Sequence, residues 1–596
     1  MKKILYFAAV AVCASLVSCE SFLDTTNYWS KTSDNFPANA ADADQMLAGI
    51  YNNLNVSIGN SVYQNHFLWS LAASDDCLGG GGSNDAVFQA EDLLLNFGAN
   101  HYEAFYKDRY TGIARANVAI ESLPNCGLGE ATLNKYLGEA YFLRAYFYYE
   151  LASMFGNIPC PVTSVADATQ PQISGEALWG QILQDAKMAA DLMPASKGAA
   201  DGHANKYAAQ ALLGRAYLFY SGFYNDEEVS LPNGETLKKS DVQAAITDCV
   251  NNSGYSLVPD FHNLWAYTNS ATVEDELSPY KGNGYNFVGN GTNPEAMFVI
   301  KFNTQPSWST TIGYTNQAPL FMGIRAQGDF TTHFPFGEGW GMCPVSPAFV
   351  ADWKATEPGD KRLDASIIKA DVWSSYKYGM DNYVQETGYF QTKLMSITAR
   401  NKDRAYQEDE DSGEKEYTEP EFWHCYLNET NPDLTWIDND NDDYQLCCID
   451  DQVMIRFAEV LLMDAELNNN QASFDAVRKR AGLAPKPITP ENIRNERRWE
   501  LAFEGLRFND IRRYGEDYAA AALDKQEGVK TWHIGVESTN YASKFNGGYG
   551  ARYKATKGFV ALPSAQLALS ATAGAEYKYE QNPGWGTTSA EFGGWQ

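Results

Sequence analysis

Basic residues are scarce in this chain of 596 residues: 45 Lys and Arg stand against 75 Asp and Glu, a formal net charge of −30 at pH 7. A surface of that sign repels polyanions, which argues against nucleic acid as a partner and against a polyanionic ligand. Histidine is scarcer still, with seven residues far apart, no H-E-x-x-H and no zinc-ligand spacing. There is no G-x-S-x-G elbow, no phosphate-binding loop and no dinucleotide fingerprint. Carboxylates abound, but a glycosidase pair is defined by a separation in space that sequence does not show. No apolar run reaches the roughly 20 residues of a membrane-spanning helix. The ten cysteines include no C-x-x-C. Those after position 19 (Cys77, Cys126, Cys160, Cys249, Cys343, Cys425, Cys447 and Cys448) read as small buried hydrophobes, with one or two disulfides left open.

What is present begins with Lys2 and Lys3, followed by the small and apolar run Ile4 to Val17. That is the pattern of a secretory signal peptide over residues 1–18. Leu16-Val17-Ser18-Cys19 is similar to a bacterial lipobox, in which the cysteine sulfur receives a lipid and becomes the new N-terminus. Acyl chains hold a protein at a membrane by about 0.8 kcal/mol per buried methylene. Residues 19–40 are polar and read as the lipidated N-terminus and tether.

From 41 to 222 apolar and aromatic residues recur at three- and four-residue steps and predict helices. One ends at Pro124, one at Gly156 and Pro159, a third covers 176–193, and a fourth covers 205–222. Small residues (Gly138, Ala140, Ala145; Ala208, Ala211, Gly214) sit beside large aromatics, as in paired tetratricopeptide-like helices. Between 223 and 450 the periodicity fades into Gly-, Asn- and aromatic-rich loops, with a strand expected at 296–302. Helices return at 452–468, 472–481 and 490–514, and a strand is expected at 558–563. The fold expected is mainly α. A tetratricopeptide-like helical scaffold (41–222 and 451–520) is interrupted by a large irregular subdomain (223–450), which the loop-rich C-terminal segment 521–596 joins.

"GEAYFLRAYFYYELASMFGNIPCPV" (138–162), "MIRFAEVLLMDAELN" (454–468), "AVRKRAGL" (476–483), "NERRWELAFEGLRFNDIRRYG" (495–515) and the late "LPSAQLALS" and "QNPGW" together resemble the SusD/RagB family. The match runs in order along the chain. It implies a surface lipoprotein of the Bacteroidetes outer membrane that binds oligosaccharide or polysaccharide and is not an enzyme. It also implies a tetratricopeptide-like superhelix and a SusC-like TonB-dependent transporter as partner. The charged residues of these motifs read structurally. Arg144 should find a carboxylate, Arg456 and Glu459 are close enough to pair on one helix, and Gly505 allows close helix approach.

A sugar ring stacks its C–H face on an aromatic side chain and bonds its hydroxyls to planar polar groups, a combination suited to loops on a rigid scaffold. Two stretches offer it. The loop 75–88 carries four consecutive glycines followed by Asn84, Asp85 and Phe88. The insertion at 280–341 carries Tyr280, Tyr285, Trp308, Tyr314 and Trp340, with Asn283, Asn286 and Arg325 beside them. Trp265 reads as core. A peptide or glycoprotein ligand, or a transporter lid with no ligand of its own, are the competing readings. No cofactor is expected. Asp438, Asp440 and Asp442 alternate like the start of a calcium loop, but Asp443 replaces the glycine at position 6 and Ile449 the glutamate at position 12. A solvated acidic loop is therefore expected there, with a structural Ca2+ as the alternative.

Substituting Cys19→Ala is expected to leave the fold intact and lower membrane retention on fractionation. Unchanged retention would overturn the lipid anchor.

Overall fold

Helix follows helix along the first part of the chain, each packed on its predecessor: Glu103–Ser122, Glu130–Phe155, Gly175–Leu192, Lys206–Tyr224 and Lys239–Asn252. The computed structural model describes residues 36–595, except 58–64, 199–200, 290, 303–314, 326, 328–331, 401–406, 409–414, 417–421, 428–433, 437–444, 446–447 and 588–589. Cys19, Trp308, Tyr314, Asp438, Asp440 and Asp442 lie outside the described residues.

After Asn252 the chain leaves the array for about two hundred residues and returns as helix Phe457–Asn468, which packs directly on Lys239–Asn252. Gln471–Arg480 and Pro490–Glu500 then pack on Phe457–Asn468, and Arg507–Arg513 packs on Lys206–Tyr224. The ends of the excursion are joined by an antiparallel strand pair, Ala296–Ile300 with Gln452–Arg456. Small residues set the helix spacing. Ala140, Ala145, Ala208 and Ala211 are fully buried. A Cβ on Gly214 would lie 2.7 Å from Ile246 Cδ1 and 3.0 Å from Met463 Sδ. Asn205 caps Lys206–Tyr224 by accepting the Tyr207 and Ala208 N–H groups.

The seam between array and insertion is a buried ionic network. Arg456 bonds Glu295, Glu500 and Glu504, and Arg362 bonds Asp360, Glu496 and Glu500. Arg478 joins Glu357 to Glu496, and Arg480 joins Glu295 to Glu500. Elsewhere Arg144 chelates Asp185 at 2.7 and 2.8 Å, as its motif suggested.

Four expectations need correction. Residues 452–468 are not one helix: Arg456 ends the strand Gln452–Arg456 in extended backbone and caps the helix that follows. Arg456 and Glu459 therefore do not pair, and Glu459 is held instead by Arg215. Residues 490–514 form two helices, because Phe503 (φ +63°) and Gly505 (φ +71°) turn the chain after Glu500. The close approach at Gly505 is to Phe67, 2.7 Å from where a Cβ would be. Residues 558–563 are not a strand, since the Val560 N–H is taken by the Met154 carbonyl and the Val560 carbonyl by Asn582 Nδ2. Among cysteines with described side chains, Cys77, Cys126, Cys160, Cys249 and Cys343 are buried free thiols.

A Cβ on Gly222 would lie 2.4 Å from the Arg513 carbonyl oxygen. Alanine raises helix propensity by about 1 kcal/mol over glycine, yet here it must push two helices apart. Gly222→Ala is expected to lower stability by about 1–3 kcal/mol in urea unfolding. A gain in stability would contradict this contact.

Candidate ligand-binding site

The segment that begins the glycine loop is tied to the second half of the array. Arg507 donates to Asp75 at 2.7 and 2.9 Å, and Arg498 reaches Asp75 at 2.7 Å and Asp76 at 3.0 Å. Burial alone would raise the Asp75 carboxyl, but the two guanidiniums outweigh it and hold the group below its ordinary range. The loop then runs between two neighbours. On one edge Leu78 N donates to Pro344 O at 2.9 Å, Cys343 N to Gly79 O at 3.0 Å and Gly81 N to Gly341 O at 3.0 Å. On the other, Val384 N donates to Gly81 O at 2.9 Å. Gln89 Nε2 donates to the Gly80 and Gly82 carbonyls. The glycines serve contact and turning together. Gly81 has φ +74°, and a Cβ on Gly82 would lie 2.3 Å from Arg325 Nη2.

Arg325 stands at the centre. Its Nε donates to Asp381 O at 3.0 Å, its Nη1 to Trp340 O at 2.9 Å and Asp85 Oδ2 at 3.2 Å, and its Nη2 pairs with Asp381 Oδ2 at 2.7 Å. One guanidinium thus joins the early loop, the strand Glu338–Gly339 with the residue after it, and the turn at Asp381. Asp85 Oδ2 also accepts the Gly82 N–H at 2.8 Å. Burial raises the Asp85 carboxyl, with that N–H and Arg325 opposing. Asn84 is exposed beside it. Trp340 is half-buried and packs on Phe321 at 5.3 Å between ring centres, and Phe321 packs on Phe88 at 6.1 Å. Asn84, Asp85, Arg325 and Trp340, picked from two distant stretches of sequence, therefore meet. Phe88 is fully buried and supports the layer beneath Trp340.

Tyr280, Asn283 and Tyr285 occupy a different neighbourhood. Tyr285 stacks on His262 at 4.0 Å and 11°. Tyr280 is core, packed on Tyr267 and Phe336, so it has no open face to offer. Asn283 is exposed, as is Asn286, whose N–H is taken by Asn263 Oδ1. Trp265 is buried, as expected. Among the described residues no group of three or more His, Cys, Asp or Glu is placed to hold a metal ion.

Several residues at the site escaped the sequence reading. Asp381 and Asn382 form an exposed turn with φ +49° and +54°. Half-buried Glu338 has its carboxyl raised by burial and by the charge of Asp381. Trp532, on the hairpin Lys530–His533 with Val536–Thr539, stacks on Tyr378 at 4.0 Å. The hairpin edge pairs with Glu386 through Glu386 N to Trp532 O (3.1 Å) and Trp532 N to Glu386 O (2.7 Å). The alternation around Ile534-Gly535 in "TWHIGVES" is a hairpin signal that would have pointed to Trp532. Asp381 had no such signal.

A family model described as "Starch-binding associating with outer membrane" matches residues 21–218, and one described as "SusD family" matches 348–585. SusD-like protein P2 of Formosa agariphila is 26% identical over 432 residues, 69% of this chain and 71% of that protein. The solved structure of surface glycan-binding protein A from Bacteroides fluxus superposes with TM-score 0.64 at 25% identity, over 92% of this chain and 100% of that one. The corresponding protein of Bacteroides thetaiotaomicron, in complex with laminarihexaose, shares the fold with TM-score 0.62 at 18% identity, over 91% and 99% of the two chains. The chain belongs to the SusD/RagB family, with its mainly helical, tetratricopeptide-like fold.

Two buried carboxyls hold the turn that carries Asp381. Glu386 accepts Tyr376 Oη–H at 2.5 Å and Gly379 N–H at 2.7 Å, and Asp92 accepts Gln385 Nε2–H at 2.8 Å and Tyr549 Oη–H at 3.1 Å. Burial pushes each up to about 7, against those hydrogen bonds. A raised carboxyl binds its proton more tightly in the folded state. Its stabilisation is therefore present below the unfolded value (4.5 for Glu, 3.8 for Asp) and is lost as pH rises toward 7. Glu386→Gln with Asp92→Asn is expected to flatten the fall in stability between about pH 4 and 7 by several kcal/mol. Urea titrations at both ends of that range check it, and an unchanged slope would contradict it.

Proposed function

We propose that this chain is a cell-surface glycan-binding lipoprotein that captures oligosaccharide and passes it to a TonB-dependent outer-membrane transporter. The observation that carries the reading is the meeting of Trp340 with Asn84, Asp85, Arg325 and Asp381. It brings a half-buried aromatic residue, joined to Arg325 through its backbone carbonyl, to planar polar groups on loops that a rigid scaffold holds. In this reading Trp340 stacks on the apolar face of a sugar. Asn84 and the free oxygens of Asp85 and Asp381 bond hydroxyls. Arg325 keeps those groups in register, since its donors are already engaged within the protein. The stacked Tyr378 and Trp532 extend the aromatic surface across the Asp381 turn. The starch-binding description of the first family model and the glycan-binding role in the name of the Bacteroides fluxus protein support the ligand class.

The remaining parts of the proposal follow from the same frame. Lipid on Cys19 would hold the body at the outer membrane, and residues up to about 40 would tether it. Binding without bond cleavage suffices for capture, and local concentration at the membrane compensates a modest affinity.

The test is retardation of the purified protein in affinity gels cast with a panel of polysaccharides, wild type beside Trp340→Ala. Retardation by one glycan class is expected, with at least about tenfold weaker binding in the variant, within the range for truncating an aromatic anchor. Incubation with the same glycans is expected to release no reducing ends. Failure of every polysaccharide to retard the protein would overturn capture, and release of reducing ends would overturn the non-enzymatic part.

A further inference from the structure

The capture reading leaves the charge of the ligand open, and the groups around Trp340 bear on it. Asp381 is the most open of them, with 58% of its side chain exposed, and it lies next to exposed Asn382. Glu338 is half-buried, forms no ion pair among the described residues, and stands close enough to Asp381 for the two charges to oppose each other. Asp85 adds a third carboxyl. The cation at their centre, Arg325, has only 8% of its side chain exposed, and its Nε, Nη1 and Nη2 are all engaged with Asp381, Asp85 and the Trp340 carbonyl. It neutralises its partners from below and presents no guanidinium to a ligand. Cations further out are mostly committed too: Lys530 pairs with Glu537, and Lys369 pairs with Asp371. Exposed Lys377 remains.

A site of this composition offers hydrogen-bond acceptors. Neutral sugar hydroxyls donate to carboxylates well, and charge-assisted bonds of that kind are the stronger class. A uronate or sulfate brought to the same place meets like charge at a few ångströms, where two unit charges near a protein surface oppose each other by several kcal/mol. The chain as a whole carries a formal net charge of −30. Beyond about 8 Å it is largely screened at physiological salt, which leaves the nearest carboxyls in control.

We infer that this site selects uncharged, hydroxyl-rich glycan chains and rejects chains bearing uronate or sulfate, and that Asp381 and Glu338 make the selection. The inference rests on the capture reading above.

The test uses laminarin, starch and galactomannan as neutral probes. Each is compared with its hydroxyethylated form and its carboxymethylated form, so that substituent bulk and charge separate. Binding of the purified protein is measured near 0.15 M salt, where the Debye length is about 8 Å. For any polymer that binds, the hydroxyethylated form is expected to bind similarly and the carboxymethylated form at least about tenfold more weakly, the scale that like charges a few ångströms apart would impose. Asp381→Asn with Glu338→Gln is expected to narrow the charged-to-neutral ratio to within about threefold, whatever it does to neutral binding itself. Asp381→Asn alone, which keeps a side-chain oxygen to accept from Arg325 Nη2, should move the ratio part of the way. Equal binding of the carboxymethylated form by wild type would overturn the inference while leaving capture standing. So would a ratio unchanged in both variants, which would assign the rejection to the overall charge. Failure of every neutral polymer to bind would instead remove the capture reading, and this inference with it.

Discussion

Glu500 is the point on which the two parts of the molecule close. It lies fully buried on helix Pro490–Glu500 and accepts from Arg362, Arg456 and Arg480 at once. Burial would raise its carboxyl, but the three guanidiniums outweigh that and hold it well below the ordinary range. Placing so many charges out of water is costly, and an ion pair of this kind is weak grounds for high stability. Its value is in what it excludes. Remove one partner and the others are left buried and unpaired, so only one docking of the insertion on the array satisfies them all. Arg362 and Glu295 come from the excursion, Arg480 and Glu496 from the array, and Arg456 from the strand where the chain re-enters. The network is therefore a register mark between parts of the chain far apart in sequence.

The same helix fixes the candidate ligand-binding surface. Two residues before Glu500, Arg498 turns to the opposite side and holds Asp75 and Asp76, with Arg507 beyond the turn assisting. Six residues after Asp76 the chain is at Gly82, in contact with Arg325. A short run of ion pairs thus leads from the helical scaffold through the glycine loop to Trp340 and Asp381. The loop contributes little side chain of its own. It is thin because backbone must pass between residues 341–345 and 383–385, and because Arg325 must come within reach of Asp85. Rigidity at the site is borrowed from the array, which is how loops can hold a sugar-sized arrangement of groups without ordering it anew at each binding event.

Much of this was legible in the sequence where local chemistry and final structure agree. Helices with strong periodicity and a glycine or proline stop, such as Glu130–Phe155 and Gly175–Leu192, lie close to where the pattern put them. So does the return of helices after the excursion. The failures have physical causes. Gln452–Arg456 reads as helix because it is apolar and abuts one, and its strand partner is about 150 residues earlier. The break after Glu500 depends on Phe503 accepting positive φ, which no local signal announces. At the site, Asn84, Asp85, Arg325 and Trp340 could be picked because residue chemistry alone suggested them. Tyr280 has the same chemistry but is buried on Tyr267, and exposure is decided by tertiary packing. Asp381 was invisible because its role comes wholly from Arg325, 56 residues away.

The interior also explains the surface. Arg144, Arg215, Arg362, Arg456, Arg478, Arg497, Arg498 and Arg507 are all buried and all paired with carboxylates. Charges paired inside add little to the field outside, which leaves its sign to the groups that are not paired within the interior. Arginine suits the inner role because its planar fork bonds two oxygens and it cannot lose its proton. Arg325 repeats this economy at the candidate site. Placed beneath the site, it organises three acidic or carbonyl-bearing segments and leaves their outward face negative. Scaffold and candidate site thus follow one rule, with cations inside to fix geometry and acceptors facing outward.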